Sequence, residues 1–194
     1  MKKIYLMMAV AVLGAASASA QKKWTYGFGG GVNSSSYSGD LGDDYEFKPG
    51  FQLSWIHDYA FNEKFSITPE MLLFDGGAKR KSGGDISFHY ARIPINATYK
   101  FAIKGARNPD YRVLVFAGPY IGYGGYSRQD KPYSFGSKAD GYMFTPWDFG
   151  LNIGVGNQIG KSFFKLQYSH GLTNVQYDKD GGNMSFGFIY GHFF

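Results

Sequence analysis

Eight stretches of this chain alternate large apolar residues with small or polar ones at a period of two. That period is the mark of β-strands with two different faces. In 24–33, Trp24, Tyr26, Phe28 and Val32 oppose Thr25, Gly27, Gly29, Gly31 and Asn33. In 47–56, Phe47, Phe51, Leu53 and Trp55 oppose Lys48, Gly50, Gln52 and Ser54. The same rhythm predicts strands over 64–74, 86–101, 111–123, 147–160, 163–171 and 184–194. Segments rich in Gly, Ser, Asp or Asn separate them at 34–46, 57–63, 75–85, 102–110, 124–146, 161–162 and 172–183 and read as loops or turns. These connections alternate long and short.

The pattern predicts an all-β fold, an eight-stranded antiparallel up-and-down barrel. The last stretch places Met184, Phe186, Phe188, Tyr190, His192 and Phe194 on one face and Ser185, Gly187, Ile189, Gly191 and Phe193 on the other. A terminal strand leaves an open edge unless it pairs with the first. Closure onto 24–33 removes that edge. An even strand number then puts both termini at the short-turn end. Strands of about 10 residues, rising roughly 3.3 Å each and tilted about 40–45°, span roughly 25 Å, the height of a membrane apolar band.

Charge sorts the two faces. The sets Phe51-Leu53-Trp55, Ile93-Ile95-Ala97, Val113-Val115-Ala117 and Phe149-Leu151-Ile153 carry no charge. Lys48, Glu70, Arg92, Lys100, Arg112, Asp148 and Lys165 fall on the opposite faces. An apolar outside with a polar lumen predicts a transmembrane barrel, since a Lys or Arg on the lipid face costs about 2–4 kcal/mol at the midplane. Buried charges need partners, and Glu70 and Arg92, at matching heights on neighbouring strands, are expected to pair. Eight strands enclose a lumen that side chains just fill. The inverted arrangement, a secreted soluble lipocalin-like barrel with Phe51, Ile93 and Val113 around a lipophilic ligand, shares the alternation and stays open at this point.

The N-terminus is a separate object. A basic start at Lys2 and Lys3, an apolar run over 4–13 and the small residues Ala18-Ser19-Ala20 predict a secretory signal over residues 1–20, cut between Ala20 and Gln21. Residues 21–194 then form one barrel domain. Cleavage removes two lysines, so a formal charge of +5 becomes +3. That charge is too small, and too dispersed, to point to nucleic acid. Charged residues are only 18% and cysteine is absent, which excludes a disulfide or thiol chemistry. A mean hydropathy of −0.28 is compatible with a barrel, where only every second strand residue meets lipid.

Catalytic candidates are sparse. His57 lies beside Asp58, His89 opens the fourth strand, His170 follows Ser169 on alternate faces, and His192 lies on the apolar face. No Ser-His-acid convergence is implied, so no enzyme and no cofactor are expected. Asp178, Asp180 and Gly181-Gly182 miss the EF-hand calcium pattern and read as a solvated loop. Gly27 to Gly31 precedes no helix and carries no phosphate-loop lysine. The 124–146 loop carries Tyr126, Tyr133, Phe135 and Tyr142, a recognition candidate or an interfacial girdle.

Three stretches, Tyr90-Ala-Arg-Ile-Pro-Ile-Asn-Ala-Thr-Tyr-Lys-Phe101, Ala117-Gly-Pro-Tyr-Ile-Gly-Tyr123 and Asp148 to Gly156 running on to Tyr168-Ser-His-Gly-Leu-Thr-Asn174, resemble outer-membrane β-barrel domain (porin-family) proteins of Gram-negative envelopes. The architecture is similar to OmpX/OmpA-type eight-stranded barrels. The resemblance implies an integral protein of the cell outer membrane with periplasmic termini, in contact with outer-membrane lipid. It also implies recognition by the barrel assembly machinery through a C-terminal aromatic-x-Phe signal. Phe188, Tyr190 and Phe194 fit that signal, and His192 departs from it. A monomer with a structural or surface-interaction role through its long loops is expected, with a partner that the sequence does not name. A narrow diffusion channel is the alternative.

Overall fold

The computed structural model describes residues 24–103, 111–127 and 135–194. The strands are β1 (Trp24–Tyr37), β2 (Tyr45–Glu46), β3 (Lys48–Ala60), β4 (Phe65–Arg80), β5 (Asp85–Ala102), β6 (Tyr111–Ser127), β7 (Trp147–Ile159), β8 (Ser162–Gly171) and β9 (Asn183–Phe193). A one-turn helix, α1 (Gly39–Gly42), lies between β1 and β2.

Chain neighbours pair antiparallel from β3 to β9, and β1 pairs with both β3 and β9. The closing ladder runs from Gly27 opposite Phe193 to Tyr37 opposite Asn183. This is the expected eight-stranded closed barrel. β2 is an addition outside the ring that pairs with the tip of β4 through Tyr45–Arg80 and Glu46–Lys79.

The strands run further toward the long-loop end than their apolar residues suggested. β1 continues through Ser34–Tyr37, and β3 absorbs His57, Asp58, Tyr59 and Ala60 at the other end. The expected loop at 75–85 is a projecting hairpin. Lys79 faces Asp85 and Asp75 faces His89, leaving residues 81–84 as the connection. Gly83 and Gly84 turn it with φ of 101° and 84°. Alternation persists there, but its inward residues are Phe74, Gly76 and Ala78, of which only one is large.

Phe51, Leu53, Ile95, Val115, Leu151, Ile153 and Leu166 stand exposed on the outer wall, while Gln52, Ser54, Glu70, Arg92, Asn96, Asp148, Lys165 and Gln167 are buried inside. The faces are therefore those of a membrane barrel, and the inverted lipocalin-like arrangement is excluded. Aromatic rings collect at both margins of the apolar wall. Trp24–Tyr59 at 4.8 Å and Phe65–Tyr99 at 4.6 Å mark the short-turn end. Tyr123–Trp147 at 5.0 Å and Tyr168–Phe186 at 4.7 Å mark the long-loop end. Tyr and Trp favour such boundaries because each has an apolar body and a polar tip.

Candidate functional site

The lumen is built from inward residues at every second position, stacked in layers. Nearest the short turns, Lys100 donates to Asp58 at 2.5 Å, and Thr68 donates to the other Asp58 oxygen at 3.1 Å. Above it, Lys165 from β8 and the Ser54 hydroxyl from β3 both donate to Glu70 on β4. The Lys165 ammonium also lies 4.8 Å from the Phe116 ring. A neutral layer follows. Ser169 donates to Asn152 at 2.8 Å, and Asn152 donates to Asn96 at 3.0 Å.

The uppermost charged layer is centred on Arg92. Its guanidinium donates to Asp148 at 3.0 Å and to the Ser185 hydroxyl at 3.1 Å. Its carbon lies 4.1 Å from the Tyr120 ring centre and 4.6 Å from that of Phe74. Tyr120 donates to the second Asp148 oxygen at 3.2 Å. Glu70 and Arg92 are both lumenal and buried, but they do not pair with each other. The β4–β5 register sets Arg92 opposite Leu72, one pleat nearer the long loops than Glu70. Each charge instead reaches across the lumen to a strand distant in sequence. Among the described residues, three buried anions, Asp58, Glu70 and Asp148, thus meet three buried cations, Lys100, Lys165 and Arg92.

Asp58 is the lumenal residue that sequence reasoning missed, because it was assigned to a turn. Extending the Ser54, Ile56 alternation by one step places it inside. Beside the lower pair lies a cavity of about 30 Å³, bounded in part by Asp58, Lys100, Asn96, Leu114, Phe116 and Phe163. It has room for a water or two, not for a substrate.

A second, apolar core closes the barrel at the long-loop end. Phe144 is fully buried, with its ring 5.1 Å from Phe88 and 6.1 Å from Tyr37. Phe88 meets Phe135 at 4.2 Å, and Leu41, Ala78, Ile86 and Val175 belong to the same cluster, which runs on down the barrel through Tyr90, Phe74 and Leu72. The loops that supply it are tied together. Thr145 donates to the Val175 carbonyl and Tyr177 to that of Met143, each at 3.0 Å. Leu41 donates to Asp180 and Ser38 to Gly182, each at 2.9 Å. Outside, Lys179 pairs with Asp44, whose hydrogen bond raises the lysine pKa, and Lys138 pairs with Asp178 at 2.6 Å.

Two of the recognition candidates therefore have packing roles. Phe135 turns inward into the aromatic core, and the Tyr142 ring lies against Gly136, where a Cβ would collide with it. The Tyr126 side chain and all of Tyr133 lie outside the described residues, as do Ala18, Ala20 and Gln21 of the expected signal. Phe188, Tyr190 and Phe194 of the C-terminal signal all stand on the outer face.

The histidines do not converge. His57 stands 5.2 Å from the Tyr26 ring and 5.9 Å from Trp55. His89 pairs with Asp75 at 2.5 Å, His170 contacts the Tyr168 hydroxyl at 3.0 Å, and His192 lies 3.5 Å from Ser162 Oγ. Among the described residues no three His, Cys, Asp or Glu side chains gather as metal ligands. Asp180 accepts from Asn174 at 2.6 Å within its own loop.

A family model described as "outer membrane protein beta-barrel domain" matches residues 16–177. The chain belongs to this family. No curated protein matches it. Among solved structures, Neisserial surface protein A (NspA) is similar at 12% identity and a TM-score of 0.51, over 87% of this chain and 97% of that one. Ail, the attachment invasion locus protein of Yersinia pestis, is similar at 15% identity and 0.47, over 89% and 99%. The outer membrane enzyme PagL is similar at 14% and 0.49, over 87% and 98%. At such identity the likeness to NspA speaks for the fold alone. As a member of the outer membrane protein β-barrel family, the chain is an integral protein of the cell outer membrane, and its apolar wall is the surface that meets lipid.

Proposed function

We propose that this protein is a sealed, non-catalytic outer-membrane barrel that presents its long loops as a surface-interaction platform. The carrying observation is that Leu41, Phe144 and Val175 of three different connections are buried together with Tyr37, Ala78, Ile86 and Phe88 of the strand ends. Ordering loop residues carries an entropic cost of about 1–2 kcal/mol each. Loop segments buried in this way have met part of that cost before a partner arrives, which is the arrangement suited to recognition. The outer side of the platform is charged, with Asp40, Asp43, Asp44, Lys138, Asp178 and Lys179 exposed. In this reading the platform faces outward from the cell and both termini face the periplasm. The assembly machinery reads Phe188, Tyr190 and Phe194, and the barrel acts as a monomer.

The matched lumenal ion pairs and the cap above them favour a sealed interior over a diffusion channel. Two experiments test this. Purified protein in a planar bilayer is expected to give no steady unit conductance. A reproducible step would replace this reading with the channel. An epitope inserted between Gly83 and Gly84 is expected to be labelled on intact cells. Labelling only after permeabilisation would invert the orientation.

A further inference from the structure

The barrel wall is not uniformly bonded. Ladders β1–β3, β1–β9, β6–β7, β7–β8 and β8–β9 run without interruption. The three ladders of the remaining arc each skip two residues per strand. β3–β4 passes from Ile56–Glu70 to Tyr59–Ile67, β4–β5 from Pro69–Ile95 to Leu72–Arg92, and β5–β6 from Pro94–Tyr120 to Ala97–Ala117. Each gap contains one proline: Pro69, Pro94 and Pro119 respectively. The register sets them side by side, with Pro69 facing Ile95 next to Pro94, and Pro94 facing Tyr120 next to Pro119.

A proline has no N–H to give to a ladder and is ordinarily confined to edges. A barrel in lipid has no water to replace the lost bond. The cavity of about 30 Å³ lies behind this same arc, and Asp58, Thr68 and Asn96 belong both to its lining and to the gaps. Among the described residues Asn96 Nδ2 there has no hydrogen-bond partner. We propose that Pro69, Pro94 and Pro119 form a compliant seam across β3 to β6, with a hydrated cavity behind it, where the wall opens before the rest of the barrel does.

Amide hydrogen exchange of the mature chain in lipid nanodiscs tests this residue by residue. Glu70 and Ile95, whose N–H groups point into the β4–β5 and β5–β6 gaps opposite Pro94 and Pro119, are expected to exchange about tenfold or more faster than Asn152, Ser169 and Ser185, which continue the Gly118 row around the intact arc. Equal protection on both arcs overturns the seam. Pro94→Thr and Pro119→Val restore the missing donors. They are expected to slow exchange at Glu70 and Ile95, the residues opposite the two prolines, to the level of the intact arc. Folded variants with unchanged exchange would overturn the role of the prolines. If either variant fails to fold, the wild-type map alone decides.

Discussion

Gln52, on β3, reaches past β1 to donate its side-chain amide to the Phe188 carbonyl on β9 at 3.2 Å. The same nitrogen donates to the Val32 carbonyl at 3.0 Å. Val32 and Phe188 face each other across the ladder that closes the ring. One lumenal side chain thus clasps both halves of the seam between first and last strands, and Gly187 gives it space, since a Cβ there would meet Gln52 Nε2 at 2.6 Å. Gln52→Leu keeps the approximate bulk and deletes both bonds. The expected loss is about 1–3 kcal/mol, read as a lower temperature for converting the compact gel band to the unfolded one. An unchanged transition would mean that the clasp contributes nothing to closure.

The glycines of β1 act on the same seam by a different route. A Cβ at Gly31 would collide with the Phe188 carbonyl, whereas one at Gly30 on the outer face would make ordinary contacts with Leu53 Cδ2 at 3.5 Å and the Gln52 carbonyl at 3.8 Å. Gly31→Ala is expected to abolish the heat-modifiable compact band, and Gly30→Ala to retain it. Folding yields in micelles from the two variants, refolded side by side, check this. Comparable yields would show that β1 and β9 have slack which the register conceals.

The alternation that exposed the strands was legible because lipid and lumen impose opposite demands on neighbouring residues. Phe51 and Gln52 could not exchange places without placing an amide in lipid. Lumenal partners were less legible. Glu70 and Arg92 are close along the hairpin, but eight walls surround each side chain, and Lys165 and Asp148 approach from strands whose height depends on barrel stagger. The inward turn of Phe135 was hidden for another reason. An aromatic residue in a Gly- and Tyr-rich loop carries no period to give its direction. The three aligned prolines were each visible in sequence, yet only the register shows them as neighbours.

The Arg92 layer yields a prediction about buried charge. Arg92→Met leaves Asp148 uncompensated among fully buried surroundings, with Tyr120 still donating to it. Breaking one side of such a pair costs about 3–5 kcal/mol. Adding Asp148→Leu removes the orphaned charge, so the double variant is expected to recover most of that loss. Urea unfolding in micelles for the two single variants and the double variant gives the coupling. Additive effects would mean that the two groups act independently despite their 3.0 Å separation.

The outer wall provides the last prediction. Ile153 on β7 is 57% exposed, between Leu151 and Val155 on the same face. The barrel reading places all three in hydrocarbon. Ile153→Arg then carries a guanidinium into lipid at a cost of about 2–4 kcal/mol near the midplane. Ser82→Arg, in the exposed connection of the β4–β5 hairpin, adds the same charge outside the apolar band and is expected to change stability by less than about 0.5 kcal/mol. Urea unfolding of both variants in phosphatidylcholine vesicles compares them in a bilayer. The contrast tests position rather than charge, because both variants gain one arginine. Similar stabilities would mean that Ile153 does not face hydrocarbon, and the assignment of the exposed β7 face to lipid would fall.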